Sequence, residues 1–170
     1  MNVFIKDKEV SHSFFSFVLF CLVENVNCLV SFYKRAQILV SDVWGCLNGH
    51  GLGHFTEMDG LTMFADYRVL QVLAHDGVLI YSKQLKETLE RKEELPFGDE
   101  RECEIRAASI LSVYLIVKFA NEKVPLEIDT GDGGQRLNAP LIDVYLWRKR
   151  RQFFQIYQQT PFHRTRSIFY

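Results

Sequence analysis

The chain has 170 residues, 48% of them apolar and 14% aromatic, with a formal net charge of −1. That is the size of one ordinary domain with ample material for a core, which excludes global disorder. A net charge this small also excludes a general pull towards nucleic acid or anionic membrane.

Residues 1–30 open the chain with a distinct character. Phe14 to Val23 is almost uninterrupted apolar sequence. It falls short of the about 20 residues that a transmembrane helix needs. Its mixed-sign start, Lys6-Asp7-Lys8-Glu9, and the lack of a small-residue cleavage site argue against a signal peptide. The segment is expected to pack on the domain as a helix or strand, or else to be foreign to it.

Ser31 to Leu47 predicts a helix, because Phe32, Ala36, Leu39, Val40, Val43, Trp44 and Leu47 recur at three- and four-residue spacing. Gly45 and Gly49 weaken and end it. Lys34 and Arg35 lie near its start, and Asp42 sits between Ser41 and Val43 in its second half. Gly49 to His54 is a flexible connector without phosphate-loop spacing, and Thr56 to Gly60 is polar and turn-like.

Leu61 to Ala74 predicts a second helix. It carries Asp66, Tyr67 and Arg68 side by side in an otherwise apolar run, LTMFADYRVLQ. A buried carboxylate costs several kcal/mol unless it is paired or used, and apolar neighbours raise its pKa. The run therefore reads either as a site or as a capping aspartate beside a solvated arginine. His75-Asp76-Gly77 stops the helix, and Val78 to Tyr81 is a short apolar link.

Ser82 is placed to cap a helix from Lys83 to Glu94 that buries Leu85 and Leu89. Leu95-Pro96-Phe97-Gly98 breaks it. Asp99 to Lys123 is the longest predicted helix, with acidic residues at its positive end and a stripe of Ile105, Ala108, Leu111, Leu115 and Phe119. Glu104 and Arg106 read as structural salt-bridge partners. Pro125 to Gln135 is a loop. Asn138 caps a last helix over Ala139 to Gln158 with Pro140 in its first turn. Asp143 and Trp147, four residues apart, share a face of it. The end from Thr160 to Tyr170 is expected to be extended.

Alternating strand patterns are largely absent, so the class is all-α. The four cysteines lack CxxC spacing and the five histidines make no HExxH motif. No metal site is expected, and buried reduced thiols fit a cytoplasmic protein. From Val144 onwards there is no Asp or Glu, while Arg148, Lys149, Arg150, Arg151, Arg164 and Arg166 all fall there. That basic end suits either a phosphate or a solvated face.

Several stretches together resemble the queuosine 5′-phosphate N-glycosylase/hydrolases of queuosine salvage. They are Ser31 to Gln37 (SFYKRAQ) leading to Asp42-Val43-Trp44, then Leu61 to Val69, then Glu104-Ile105-Arg106-Ala107. Asp143 to Trp147 (DVYLW) and Phe162 to Arg166 (FHRTR) follow in order. The likeness covers roughly residues 31–170 and rests on the ordered set rather than on any single piece.

This resemblance implies an all-helical fold related to helix-hairpin-helix DNA glycosylases. It implies hydrolysis of queuosine 5′-phosphate to queuine and ribose 5-phosphate, without metal or organic cofactor. The implied partner is a small nucleotide, with no direct nucleic acid and no membrane. Family members are about twice this length, so an N-terminal half is expected to be missing and turnover by this chain alone to be weak or absent. Residues 1–30 do not match the family, and Leu70 stands where it usually has proline.

Breaking a C–N glycosidic bond passes through an oxocarbenium-like state that a carboxylate stabilises. A 7-deazaguanine lacks N7, so the leaving base needs help at another edge. Asp42 or Asp66 is expected to hold the water and the oxocarbenium charge. The other, with Asp143, binds the base or its amine. Tyr67 and Trp147 are candidates to wall the base, and Lys34, Arg35, Arg68 and Arg164 to hold the 5′-phosphate. Two other classes compete. One is an inactive truncated relative that binds a ligand or regulates. The other is a helical nucleic-acid-binding module built on the basic end.

Overall fold

A computed structural model describes residues 31–123 and 137–168, and the backbone of residues 3–5. The apolar run Phe14 to Val23, the loop from Pro125 to Gln135 and the last two residues lie outside the described residues.

The described chain is mostly helical, as the sequence predicts. In order it forms β1 (Val3–Ile5), α1 (Lys34–Cys46), two short 3-10 turns, α2 (Tyr67–His75), β2 (Leu79–Tyr81), α3 (Lys83–Glu90), α4 (Glu100–Lys123), α5 (Ala139–Gln152) and α6 (Phe154–Tyr157). The stretch read as an apolar link is a strand: β2 pairs antiparallel with β1, with Ile80 opposite Phe4. Three residues are too few for an alternating pattern to stand out from an apolar run.

The middle of the fold is α2, which packs chiefly on α5 and also meets α4. Five successive residues, Val69 to Leu73, are buried. A helix stretch enclosed on all sides has no solvent-facing polar stripe, and its one polar residue, Gln71, is buried and hydrogen-bonded. Leu70 is completely buried, and its amide reaches the Asp66 carbonyl at 3.4 Å. A proline there has no such N–H, so leucine retains the first turn of backbone bonding.

Helix ends follow local chemistry. The Ser82 hydroxyl accepts from the Leu85 amide at 3.2 Å, and the Asn138 side chain accepts from Leu141 at 3.1 Å. Gly77, at φ 76°, takes the left-handed turn after α2 that a side chain disfavours. Several helix bounds differ from expectation, and α1 starts at Lys34 rather than Ser31. The α2 helix starts at Tyr67 rather than Leu61, because the Asp66 side chain captures its first amides. In α3 the helix stops at Glu90, and the last helix breaks at Phe153 into α5 and α6.

The stripe predicted for α4 is also different. Its first half is buried almost all round, from Glu102 to Val113, while Phe119 is exposed. The helix runs through the core and then out of it, so no single face is apolar along its length. Arg106 forms a buried ion pair with Glu102, one turn away at 3.0 Å, and its guanidinium lies 4.1 Å from the Phe32 ring centre. On α1, Ala36, Leu39 and Leu47, read as part of its apolar stripe, are exposed, and Ser41 is its only buried residue. Gln37 fastens α1 to the segment before α2. Its side chain accepts from the Thr62 amide at 2.7 Å and donates to the Thr62 hydroxyl at 3.0 Å.

Candidate active site

Asp66 is the N-cap of α2. Its Oδ1 accepts from the amides of Arg68 at 2.7 Å and Val69 at 3.0 Å. These two bonds fix the carboxylate and leave Oδ2 free to face Lys34, whose Nζ lies 3.8 Å away. Both side chains are largely shielded. The capping and site readings of Asp66 are therefore compatible: the cap holds one oxygen and aims the other.

Asp143 comes in from α5 and is 6% exposed. Its Oδ2 accepts from the Phe64 amide at 3.0 Å, two residues before the cap. Burial, reinforced by the charge of Asp66, pushes its carboxyl up to about 7; the Phe64 bond and Lys34 act against this. Two carboxyl groups and one ammonium thus meet between α1, α2 and α5. Near neutral pH Asp143 carries a proton part of the time, which equips it to give one up.

A second cluster lies along the same two helices. Tyr67 stacks on Phe162 with ring centres 5.4 Å apart and planes 25° from parallel. The Arg68 guanidinium sits 4.9 Å from the Tyr67 ring centre, and that of Arg164 lies 4.6 Å from Phe162. Arg164 is held by its backbone, whose carbonyl accepts from Leu95 at 2.7 Å. Arg68 and Arg150 both donate to Gln71 Oε1, at 3.5 and 3.2 Å.

Beside the carboxyl groups opens a cleft of about 600 Å³, lined by Phe32, Gln37, Leu61, Tyr114, Asn138 and Ala139 among others. Asp66 and Asp143 do not line it. Ala139 is one helical turn before Asp143, and Thr62, also in the lining, is two residues before Phe64.

Of the nine expected site residues, Lys34, Asp66, Tyr67, Arg68 and Asp143 come together. Arg164 joins them through Phe162. The other three stand apart. Asp42 is exposed on α1. The Arg35 guanidinium donates to the Ile168 carbonyl at 2.9 Å and so ties down the chain end. Trp147 is 39% exposed, with Arg151 over its ring at 4.8 Å. Phe162, Gln71 and Arg150 were not singled out by sequence. Arg150 had one hint, its place seven residues after Asp143 on the same helix face.

Among the described residues no group of His, Cys, Asp and Glu is arranged to hold a metal, and no helix is long and apolar enough to cross a membrane.

A family model described as "Queuosine salvage protein" matches residues 8–170. The chain is similar to three proteins named queuosine 5′-phosphate N-glycosylase/hydrolase. That of Nematostella vectensis is 46% identical over 149 residues, covering 85% of this chain and 43% of the relative. The Bos taurus protein is 43% identical over 141 residues, covering 83% and 41%. For Schizosaccharomyces pombe the identity is 37% over 146 residues, covering 81% and 39%. The chain thus spans about two fifths of the length of these curated relatives. A match that runs from residue 8 to the last residue shows that the chain belongs to the queuosine salvage protein family.

Proposed function

We propose that the chain hydrolyses the N-glycosidic bond of queuosine 5′-phosphate and releases queuine. The observation that carries this reading is the Asp66–Asp143 pair with Lys34: two shielded carboxyl groups in different environments, one pushed up to about 7. The relatives' names supply the substrate, and the pair supplies a chemistry suited to it.

In this reading the C1′–N9 bond breaks and its electrons leave with the base. Asp143 gives its proton to the departing base at an edge other than the absent N7. Asp66, with Oδ1 already fixed by two amides, faces the positive charge growing on the sugar with Oδ2. It then takes a proton from the water that adds to C1′. The products are queuine and ribose 5-phosphate. Lys34 faces the Asp66 Oδ2 at 3.8 Å. No metal or organic cofactor enters the scheme. Tyr67, stacked on Phe162, offers an aromatic edge to the nucleoside, with Trp147 further out on the same helix as Asp143. A relation to helix-hairpin-helix DNA glycosylases and a cytoplasmic location belong to the same reading, supported by the helical content and the family.

The test is queuine release from queuosine 5′-phosphate by the purified chain and by its Asp66→Asn and Asp143→Asn variants. Release above background is expected from the unaltered chain. Each variant should lose on the order of 10²- to 10⁴-fold, the usual size of a general acid–base contribution. No release from a correctly folded chain overturns the activity. Release unchanged in both variants overturns the roles of the two aspartates.

A further inference from the structure

We infer that Arg106 is a positioning residue for the acid pair: its guanidinium, laid on the Phe32 ring, sets where α1 begins and so where Lys34 meets Asp66. The inference rests on the reading of Asp66 and Asp143 above and adds to it what places the ammonium beside them.

The start of α1 has little of its own to hold it. The helix packs chiefly on the 3-10 turn that follows it, and Ser41 is its only buried residue. Lys34 is its first residue, yet the ammonium is shielded and lies 3.8 Å from Asp66 Oδ2. A long flexible side chain meets one oxygen reliably only where its backbone is fixed. Two residues earlier, the Phe32 ring centre is 4.1 Å from the Arg106 guanidinium. Arg106 is 3% exposed and donates to Glu102 Oε1 at 3.0 Å, one turn back on α4. Glu102 Oε2 in turn accepts from the Gly98 amide at 3.3 Å. The guanidinium therefore belongs to the core of the fold and offers Phe32 a fixed planar face.

Tyr33, between Phe32 and Lys34, is under strain. Its φ of 46° and ψ of 29° are left-handed, a conformation that a bulky side chain disfavours. Such a residue persists only where its surroundings over-determine it. Its own ring is 72% exposed, so its neighbours hold the turn. One hold is Phe32 on Arg106. The other is Gln37, whose amide nitrogen donates to the Phe32 carbonyl and to the Thr62 hydroxyl, each at 3.0 Å. The kink lets Phe32 face α4 while Lys34 faces Asp66 at the start of α2.

The deciding measurement is the titration of the Asp143 carboxyl, followed by NMR on the whole chain and assigned with Asp143→Asn. Burial and then Asp66 raise this group, and the Phe64 amide and then Lys34 lower it. Moving the ammonium away therefore moves the midpoint up from about 7. Lys34→Gln sets the full upward shift. Arg106→Lys keeps the charge beside Glu102 but loses the planar face, and should shift the midpoint in the same direction. Phe32→Leu should do likewise with the Glu102–Arg106 pair untouched, and it decides alone if Arg106→Lys does not fold. In the release assay Arg106→Lys should lose about 10- to 100-fold in kcat, the scale of a group misplaced by about 1 Å, with KM changed less than about twofold. A lower melting temperature with the midpoint unmoved means a structural role only and overturns the inference. So does a shift in Arg106→Lys without one in Phe32→Leu, because the effect then bypasses the ring. No shift in Lys34→Gln removes the ammonium from the acid pair and the inference with it. The two readings fail separately. Absence of queuine release removes the hydrolysis and leaves the titration to decide the positioning. Release that is unchanged in Arg106→Lys, with an unmoved midpoint, does the reverse.

Discussion

Two groups of buried charge in this fold look alike in composition and differ in balance. On α4, Glu102 and Arg106 are almost fully buried and form an ion pair at 3.0 Å. Each charge has its opposite, and the Phe32 ring lies against the guanidinium. Between α2 and α5 like charges lie near one another, with Lys34 facing Asp66. Burial, then the charge of Asp66, raises the carboxyl of Asp143; burial, then Arg68, lowers the guanidinium of Arg150, with Tyr67 and Asp66 acting the other way. Burial alone therefore does not distinguish a site from a scaffold. Imbalance does: a matched pair is complete without a ligand, whereas a pair of neighbouring acids is completed by a proton.

The sharpest way to break this contrast is at the matched pair. Glu102→Ala leaves Arg106 buried without its carboxylate and should destabilise the chain by about 3–5 kcal/mol. Urea unfolding measures it. A loss below about 1 kcal/mol would mean that the α4 pair is not a structural unit and that the contrast is misplaced.

How far this contrast is readable in sequence differs between its halves. Capping residues declare themselves: Ser82 and Asn138 precede their helices and do what their side chains permit. Leu85 and Leu89 are buried as their spacing indicates. Asp143 stands out as the one acid in the apolar first half of its helix. What its sequence neighbourhood lacks is Asp66, 77 positions away, whose charge helps raise the Asp143 carboxyl. Arg150 is hidden for the same reason. In a run of basic residues only tertiary contact with Gln71 tells it from Arg148 or Arg151. The family likeness collected most of the site residues because it quotes separated stretches together, and that is information about proximity. It also carried Asp42 and Arg35, which lie outside the cluster.

A smaller effect sharpens the acidic half. The folded chain holds the Asp143 proton up to about pH 7, against an ordinary value of 3.8. Between those values it binds more protons than the unfolded chain, so stability falls as pH rises through the window and the penalty is complete above it. Asp143→Asn removes the penalty while its side-chain oxygen can still accept from Phe64. Between about pH 5 and 8 the variant should gain on the unaltered chain by on the order of 1–3 kcal/mol, even as queuine release collapses. His163 acts with the opposite sign. Burial lowers it from 6.5 to about 4, so its contribution is lost as pH falls through that range. An Asp143→Asn curve parallel to that of the unaltered chain from pH 5 to 8 would remove Asp143 from the proton-donor role.

The smallest stability effect separates the two duties of Asp66. Its Oδ1 caps α2 through the Arg68 and Val69 amides, and its Oδ2 faces Lys34. Asparagine is as good a cap as aspartate but carries no charge. Asp66→Asn should therefore leave stability within a few tenths of a kcal/mol, while Asp66→Ala should cost about 1 kcal/mol. Queuine release should suffer alike in both, because neither supplies the negative oxygen beside Lys34. If Asp66→Asn retains release and only Asp66→Ala loses it, the carboxylate serves the fold alone. Asp143 would then stand as a lone buried acid, and the acidic half of the contrast would become another piece of scaffold.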